Sequence, residues 1–340
     1  MRVDILIIGQ GIAGSTLAVE LRKRGFSVLV VDREDEGASS RVAAGLVTPI
    51  TGKGLNPAWR QDVYLPIAKE FYQSLSPDLW HDSPAVRLFA DEKELMKWQS
   101  KPDFVRCWGR MLAVSDCPIS SVHGGIEMGD AAWLDTRRFI SVVKEELLED
   151  GAWVAEGFSQ QDASLANGVV RWRDVTADKI ILCQGAYGLG KSGWFSEVNH
   201  RSAKGEILTL NLPEVSPSHR LHARGWLAPR GDGLFKAGAT YDWNRLDSEP
   251  TPEGRESVMR NLATWLDVSQ AEVVAHEAGV RPIVRSSKPV VGFLKEHAQV
   301  GFFNGLGSKG SLMAPAVAAH FAGVLTGEHK LDEELNLQNL

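Results

Sequence analysis

Val3-Asp4-Ile5-Leu6-Ile7-Ile8-Gly9-Gln10-Gly11-Ile12-Ala13-Gly14 opens the chain, and its reading decides the fold. A run of β-branched and aliphatic residues meets G-x-G-x-x-G, and a helical pattern follows at once. Ala13, Leu17 and Leu21 recur every fourth residue, and Gly25 closes the helix. A second apolar run, Val28-Leu29-Val30-Val31, ends in Asp32, 21 residues beyond Gly11. Strand, glycine turn, helix, strand and acid in this order predict a dinucleotide-binding βαβ unit. Gly9 permits the tight turn, Gly11 lets the backbone approach a pyrophosphate, and Gly14 lets the helix pack close to the strand. The helix N-terminus offers unpaired N–H groups and the positive dipole end to phosphates. Asp32 accepts hydrogen bonds from a ribose.

The rest of the chain sets bounds. With 340 residues there is room for two domains or one elaborated one. The composition, 44% hydrophobic and 24% charged with mean hydropathy −0.15, is that of a globular protein. A net charge of −6 disfavours a sequence-independent grip on nucleic acid, so a tRNA partner is possible but not favoured. Cys107, Cys117 and Cys183 show no C-x-x-C and no metal spacing, which suits reduced thiols. No apolar run is long enough to span a membrane, and the opening strand is no signal peptide, so a cytoplasmic location is expected.

Along the chain, Ala38-Ser39-Ser40-Arg41-Val42-Ala43-Ala44-Gly45-Leu46 combines small residues with two hydroxyls, fit to pass close to a large flat ligand. Trp59, Val63, Ile67 and Phe71 predict a helix with a kink at Pro66. Asp135 caps a helix with the stripe Phe139, Val143 and Leu147, ended by Gly151. Val169–Trp172 and Lys179–Cys183 read as strands, the latter entering Gln184-Gly185-Ala186-Tyr187-Gly188 beside the same nucleotide. Antiparallel signals fill Gly205–Tyr241, with a turn at Gly231-Asp232-Gly233. Thr251-Pro252 starts a helix, and Ser311–Leu325 reads as another, after Gly305-Leu306-Gly307-Ser308-Lys309-Gly310. Parallel nucleotide-binding material at both ends with antiparallel material between is not the plan of a two-domain NAD dehydrogenase, and it points to FAD.

Taken together, the motifs resemble the FAD-dependent oxidoreductases of the D-amino-acid oxidase type, which include glycine oxidase and sarcosine oxidase. Beside those already quoted, the resemblance rests on Gly238-Ala239-Thr240-Tyr241 and on Gly279-x-Arg281-Pro282 with Pro289 and Gly292. The last motif, followed by Ala314-Pro315, looks most like the FAD domain of the bifunctional enzyme that trims a carboxymethyl group from a tRNA wobble uridine. The resemblance implies an α/β fold: a Rossmann-like FAD-binding domain, discontinuous over 1–84, 135–204 and 276–340. An antiparallel-sheet substrate domain would take 85–134 and 205–275. FAD contacts are implied for Gly9, Gly11, Ile12, Ala13, Gly14, Asp32, Arg33, Ser39, Ser40, Ala43, Ala44, Gly45 and Leu46. They are implied also for Phe158, Gly185, Gly307, Ser308, Lys309, Gly310 and Ser311.

By the same resemblance Arg281 binds a substrate carboxylate, Trp226 and Tyr241 wall the pocket, and Lys309 lies near the flavin or the substrate acid. The implied reaction is oxidation of the C–N bond of a small primary or secondary amino acid. Hydride passes to flavin N5, and the imine then hydrolyses. Such chemistry needs orientation more than a base, so His81, His222 and His276 are not assigned one. Arg41 stands where some relatives have a histidine tethering FAD, and no cysteine lies near the last motif, so FAD is expected to be non-covalent. Ser286-Ser287 replaces an acid common in the family, which leaves the pocket's charge and the substrate open. Two alternatives stand: removal of a carboxymethyl group from a modified tRNA nucleoside, and a flavoprotein sensor without catalysis. Oligomeric state is not legible.

Overall fold

A computed structural model describes residues 1–119, 121–190, 193–215, 219–231 and 233–339; Asp232 of the predicted turn lies outside them. The opening strand, Arg2–Ile8, sits near the middle of a parallel sheet and is buried on both faces from Ile5 to Ile8. Its neighbours are Val28–Asp32 on one edge and Val175–Leu182 on the other. Trp153–Ala155 extends the first side and Val300–Asn304 the second. Numbered along the chain, the parallel strands lie in the order 3-2-1-4-5, so the direction of travel reverses beside Arg2–Ile8. A ligand crevice forms at the carboxyl ends of strands at such a reversal. The early half of Val175–Leu182 also pairs with Val169–Trp172, antiparallel, and its late half with Val300–Asn304.

The helix Ile12–Lys23 buries Leu17 and Leu21 completely, and Gly25, at φ +84, allows the chain to turn out of it. Gly14 is needed for this packing, since a Cβ there would stand 1.9 Å from the Gly9 carbonyl oxygen. The helix Gly310–Thr326 shares the same apolar core and is buried over most of its surface; Pro315 is its sixth residue, past the first turn, and leaves the Ser311 carbonyl without its i+4 donor. Asp135 accepts from the Arg138 N–H at 3.0 Å, and Phe139, Val143 and Leu147 are buried as the stripe requires. The helix at Gln61–Leu75 remains one element through Pro66, but its inward face differs from the predicted one. Val63 and Ile67 are exposed, while Tyr64, Ala68, Phe71 and Tyr72 fill the core. The i+4 spacing ran along the boundary of the true face.

A second, eight-stranded sheet runs Glu272–Arg281, Ala203–Asn211, Leu234–Gly238, Gly225–Gly231, Arg220–Ala223, Ala85–Leu88, Gly125–Met128 and Arg110–Leu112. All neighbours are antiparallel except Arg220–Ala223 with Ala85–Leu88. One face carries Leu208, Leu210, Leu221, Leu227, Phe235 and Ala237, packed on Val258 and Leu262 of the helix Pro252–Ala263. Thr251 caps that helix, accepting from the Gly254 N–H at 3.0 Å. The boundary at residue 276 falls inside the strand Glu272–Arg281, which belongs wholly to this sheet. Among the described residues, no helix is long and apolar enough to cross a membrane.

Candidate active site

A cavity of about 640 Å³ opens at the carboxyl ends of the parallel strands and runs on between the two sheets. Most of the motifs singled out by sequence meet on its walls. Gly9, Gly11, Ile12, Ala13, Asp32 and Arg33 line one end. Gly9 adopts φ +100, and a Cβ there would meet the Cys183 carbonyl at 2.7 Å. At Gly11 a Cβ would stand 2.9 Å from Ser40 Oγ, which itself accepts from the Ile12 N–H at 3.0 Å. The Ala13 N–H, in the first helical turn and on the cavity wall, has no intrahelical acceptor and is available to phosphate. Asp32 is held by the Gln10 N–H at 2.6 Å on one oxygen and by the Glu34 N–H at 2.7 Å on the other.

Beyond Asp32, Arg33 pairs with Asp35 at 2.5 Å and lies 3.7 Å from the centre of the Tyr187 ring. The Tyr187 hydroxyl donates to the same carboxylate at 2.7 Å. This three-residue cluster lines the cavity together with Phe158, Gln184 and Gly185. Tyr187 falls in the glycine-rich turn expected beside the nucleotide, but its link to Arg33 carries no sequence signal.

The second motif, Ser39 to Leu46, lines the cavity's middle, except Arg41. Gly45 adopts φ +67, and a Cβ there would stand 1.9 Å from the Leu134 carbonyl. The Leu134 N–H donates to the Gly45 carbonyl at 3.0 Å, and Leu46 pairs with Trp133 in a three-stranded sheet. Gly307, Ser308, Gly310 and Ser311 form the opposite wall. Lys309, between them, is not among the lining residues. It is half-buried at the N-cap position of the last helix, and burial lowers its ammonium pKa. Gly14 does not line the cavity either, because its task is packing.

At the far end stand Arg281, Trp226 and Tyr241. Arg281 Nη1 donates to the Thr240 carbonyl at 3.1 Å, and its guanidinium lies 4.3 Å from the Tyr241 ring centre. Among the described residues it forms no ion pair, and burial lowers its pKa. Gly205 makes room for it, since a Cβ there would stand 2.2 Å from Nη2. Gly238 does the same for Trp226, whose Cζ2 a Cβ would meet at 2.9 Å. Neither glycine role was legible in sequence. Cys183 lines the cavity as a buried thiol whose pKa burial raises strongly.

The family described as FAD dependent oxidoreductase (DAO) matches residues 4–323. The chain belongs to this family. It is 25% identical to glycine oxidase of Pseudomonas putida, over 96% of this chain and 95% of that protein. It is 24% identical to the tRNA 5-methylaminomethyl-2-thiouridine biosynthesis bifunctional protein MnmC of Idiomarina loihiensis, over 96% of this chain. The chain spans about half of that relative's length, 56%. Among solved structures, iminodiacetate oxidase from Chelativorans sp. BNC1 superposes with a TM-score of 0.80 at 22% identity, covering 96% of both chains. Glycine oxidase from Bacillus cereus gives 0.83 at 20% identity, again over 96% of both. The chain is thus an FAD-dependent oxidoreductase with the mixed α/β fold of these enzymes. The site fits the cofactor: a glycine cradle, the helical N–H of Ala13 and an anchored acid share one elongated cavity.

Proposed function

We propose that this oxidoreductase oxidises the C–N bond of a small primary or secondary amino acid, with FAD held non-covalently. The observation that carries this reading is Arg281, a largely buried guanidinium on the cavity wall with no carboxylate partner among the described residues. A fork of N–H donors suits the two oxygens of a substrate carboxylate, and the Thr240 carbonyl fixes the fork's orientation. Trp226 and Tyr241 would enclose the substrate's carbon skeleton. When bound, FAD supplies the acceptor for the two electrons that leave the substrate. The protein's part is to hold the α-carbon in place, exclude water and keep the amine unprotonated. No histidine is assigned the role of base. His222, on the same sheet, is held neutral with its pKa lowered to about 3 by burial and by Arg87 and Arg220. Lys309 would add a positive charge behind the last motif.

Tyr241 and Trp243 supply the observation for a second reading. Their rings lie 6.0 Å apart and both side chains are half exposed, forming a ledge beside Arg281. A carboxymethylamino group carried by a larger planar molecule, such as a modified nucleoside in tRNA, could seat its carboxylate at Arg281 and rest its ring on that ledge.

Both readings are tested by following flavin bleaching anaerobically with glycine, sarcosine, proline, D-amino acids and a carboxymethylaminomethyl nucleoside. Reduction by one of the free amino acids supports the first reading, and reduction by the nucleoside alone supports the second. If none reduces the flavin, both fail and a non-catalytic flavoprotein remains. In Arg281→Met the substrate that works should lose about 100-fold or more in binding, the worth of two charge-assisted hydrogen bonds. FAD should stay bound. Unchanged substrate binding removes Arg281 from its role.

A further inference from the structure

The eight-stranded sheet has two chemically opposite faces. Register places Arg87, Arg220 and His222 on the face away from the Leu221 and Leu227 core, together with Trp226, Lys236 and Glu277. This is the face that borders the cofactor cavity, since Arg87, Trp226, Gly205 and Arg281 all line it. Two of its cations are neutralised: Arg87 pairs with Glu94, and Lys236 with Glu277 at 3.0 Å. Arg281 awaits a carboxylate. Arg220 has no acidic neighbour among the described residues, and Arg230 has only the more distant charges of Asp135 and Glu277.

Both are buried or nearly so, and neither forms an ion pair among the described residues. Their guanidinium carbons lie 5.5 and 4.6 Å from the centre of one indole ring, Trp133. The Nε atoms of both, and Nε2 of His222, are buried without a hydrogen-bond partner among the described residues. Arg230 donates to the Ala44 carbonyl at 2.7 Å, and Ala44 is a cavity-lining residue of the second motif. Burial and the charge of Arg230 lower the Arg220 pKa to about 10, well above neutrality, so Arg220 remains charged; burial lowers that of Arg230, while Asp135 and Glu277 favour its charged form. An indole face offsets part of the burial cost of one cation, and two on one ring leave a net positive field. The field reaches the cavity through the backbone of Ala44 and Gly45 in a poorly screening interior.

We propose that Arg220 and Arg230 are a paired cationic device that raises the reduction potential of FAD bound in this cavity. Reduction adds negative charge to the isoalloxazine, and fixed positive charge beside the cavity favours that added charge, that of Arg220 most, since Asp135 and Glu277 offset part of Arg230's. Arg230 has a second effect, holding the Ala44 carbonyl and with it the wall of the second motif. Neither arginine lines the cavity, so both act through their field and not by contact with flavin or substrate. The inference rests on the FAD site alone, and the amine screen can fail without touching it.

The test uses the FAD-loaded protein and its Arg220→Met and Arg230→Met variants. Two quantities are read: the midpoint potential against redox dyes, and the affinity of the oxidised flavin for sulfite, which also rises with nearby positive charge. A unit charge at about 10 Å with an effective dielectric of about 20 is worth roughly tenfold. Each methionine variant should therefore bind sulfite about tenfold more weakly, with a potential lower by about 30 mV, the two-electron equivalent. Arg230→Lys, which keeps the charge, should stay near the wild type in both. A purely structural role predicts variants that melt earlier at unchanged potential and sulfite affinity, and that result overturns the proposal. If Arg230→Met fails to retain FAD, Arg220→Met decides, because among the described residues Arg220 donates no hydrogen bond to the lining backbone of the second motif. Arg220→Gln replaces it if the methionine variant does not fold.

Discussion

Gly14→Ala puts the reading of the opening turn to a quantitative test. The new Cβ would stand 1.9 Å from the Gly9 carbonyl oxygen, whereas unbonded carbon–oxygen contacts settle near about 3.3 Å, so the helix must recede by about 1.4 Å. The obstacle is backbone on the far side and cannot rotate away. Residues Ile12 to Leu21 are buried without a break, so the displacement is felt along most of the helix. Overpacking of this kind costs about 1–3 kcal/mol of stability. The Ala13 N–H group recedes with the helix, and a hydrogen bond from it to a phosphate is worth about 1.5–3 kcal/mol. FAD affinity should therefore fall by about tenfold or more. The assay is fluorescence titration of the apoprotein with FAD, alongside thermal unfolding. Gly129→Ala is the control, because a Cβ there meets nothing within 4 Å. A Gly14→Ala protein with the wild-type FAD affinity and melting temperature would refute the packing argument.

Two further outcomes follow from the same structure. Asp32→Ala removes the acceptor of the Gln10 and Glu34 N–H groups at 2.6 and 2.7 Å as well as the proposed ribose contact. FAD should bind at least about tenfold more weakly, and an unchanged dissociation constant would deny Asp32 that role. Asp332 accepts from Arg60 at 2.6 Å, and this bond holds its carboxyl below the usual range. A depressed carboxyl contributes stability that is complete above its unfolded-state pKa of about 3.9 and is lost as pH falls through the folded-state value. Asp332→Asn should cost up to about 1 kcal/mol at pH 7, with the gap from wild type closing below about pH 4. Urea unfolding at pH 7 and pH 3 measures it, and an equal gap at both would contradict the assignment.

The sequence disclosed what local rules control. The βαβ unit was legible because its glycines, apolar periods and terminal acid all lie within thirty-two residues and each constrains its neighbours. Asp135 and Thr251 were readable as caps for the same reason: the acceptor and the N–H it serves are three residues apart. The strand Glu272–Arg281 was not, because it lies at the sheet's edge and alternates poorly, with Glu277 and Arg281 turned toward the cavity side. Arg220 and Arg230 meet Trp133 only through tertiary contact across more than eighty residues, and no spacing announces that. Gly205 is explained only once Arg281 is seen lying over it. Lys309 is named by the resemblance of the last motif, yet it is not itself a lining residue.

The ion pairs behind the second motif form a chain from one sheet's territory to the other's. Arg41 meets Glu36, Glu36 meets Arg137, Arg137 meets Glu277, and Glu277 meets Lys236, at 2.8 to 3.1 Å. Lys236 closes the chain by donating to the Val42 carbonyl at 3.3 Å. It works as a buckle whose inner end is dry and whose outer end, at Glu36 and Arg137, is wet. Salt screens only the wet end. Raising ionic strength should therefore loosen the buckle from outside and speed the departure of FAD, while the midpoint potential set further inside stays put. Stopped-flow release of FAD at low and high salt reads the one, and dye equilibration the other.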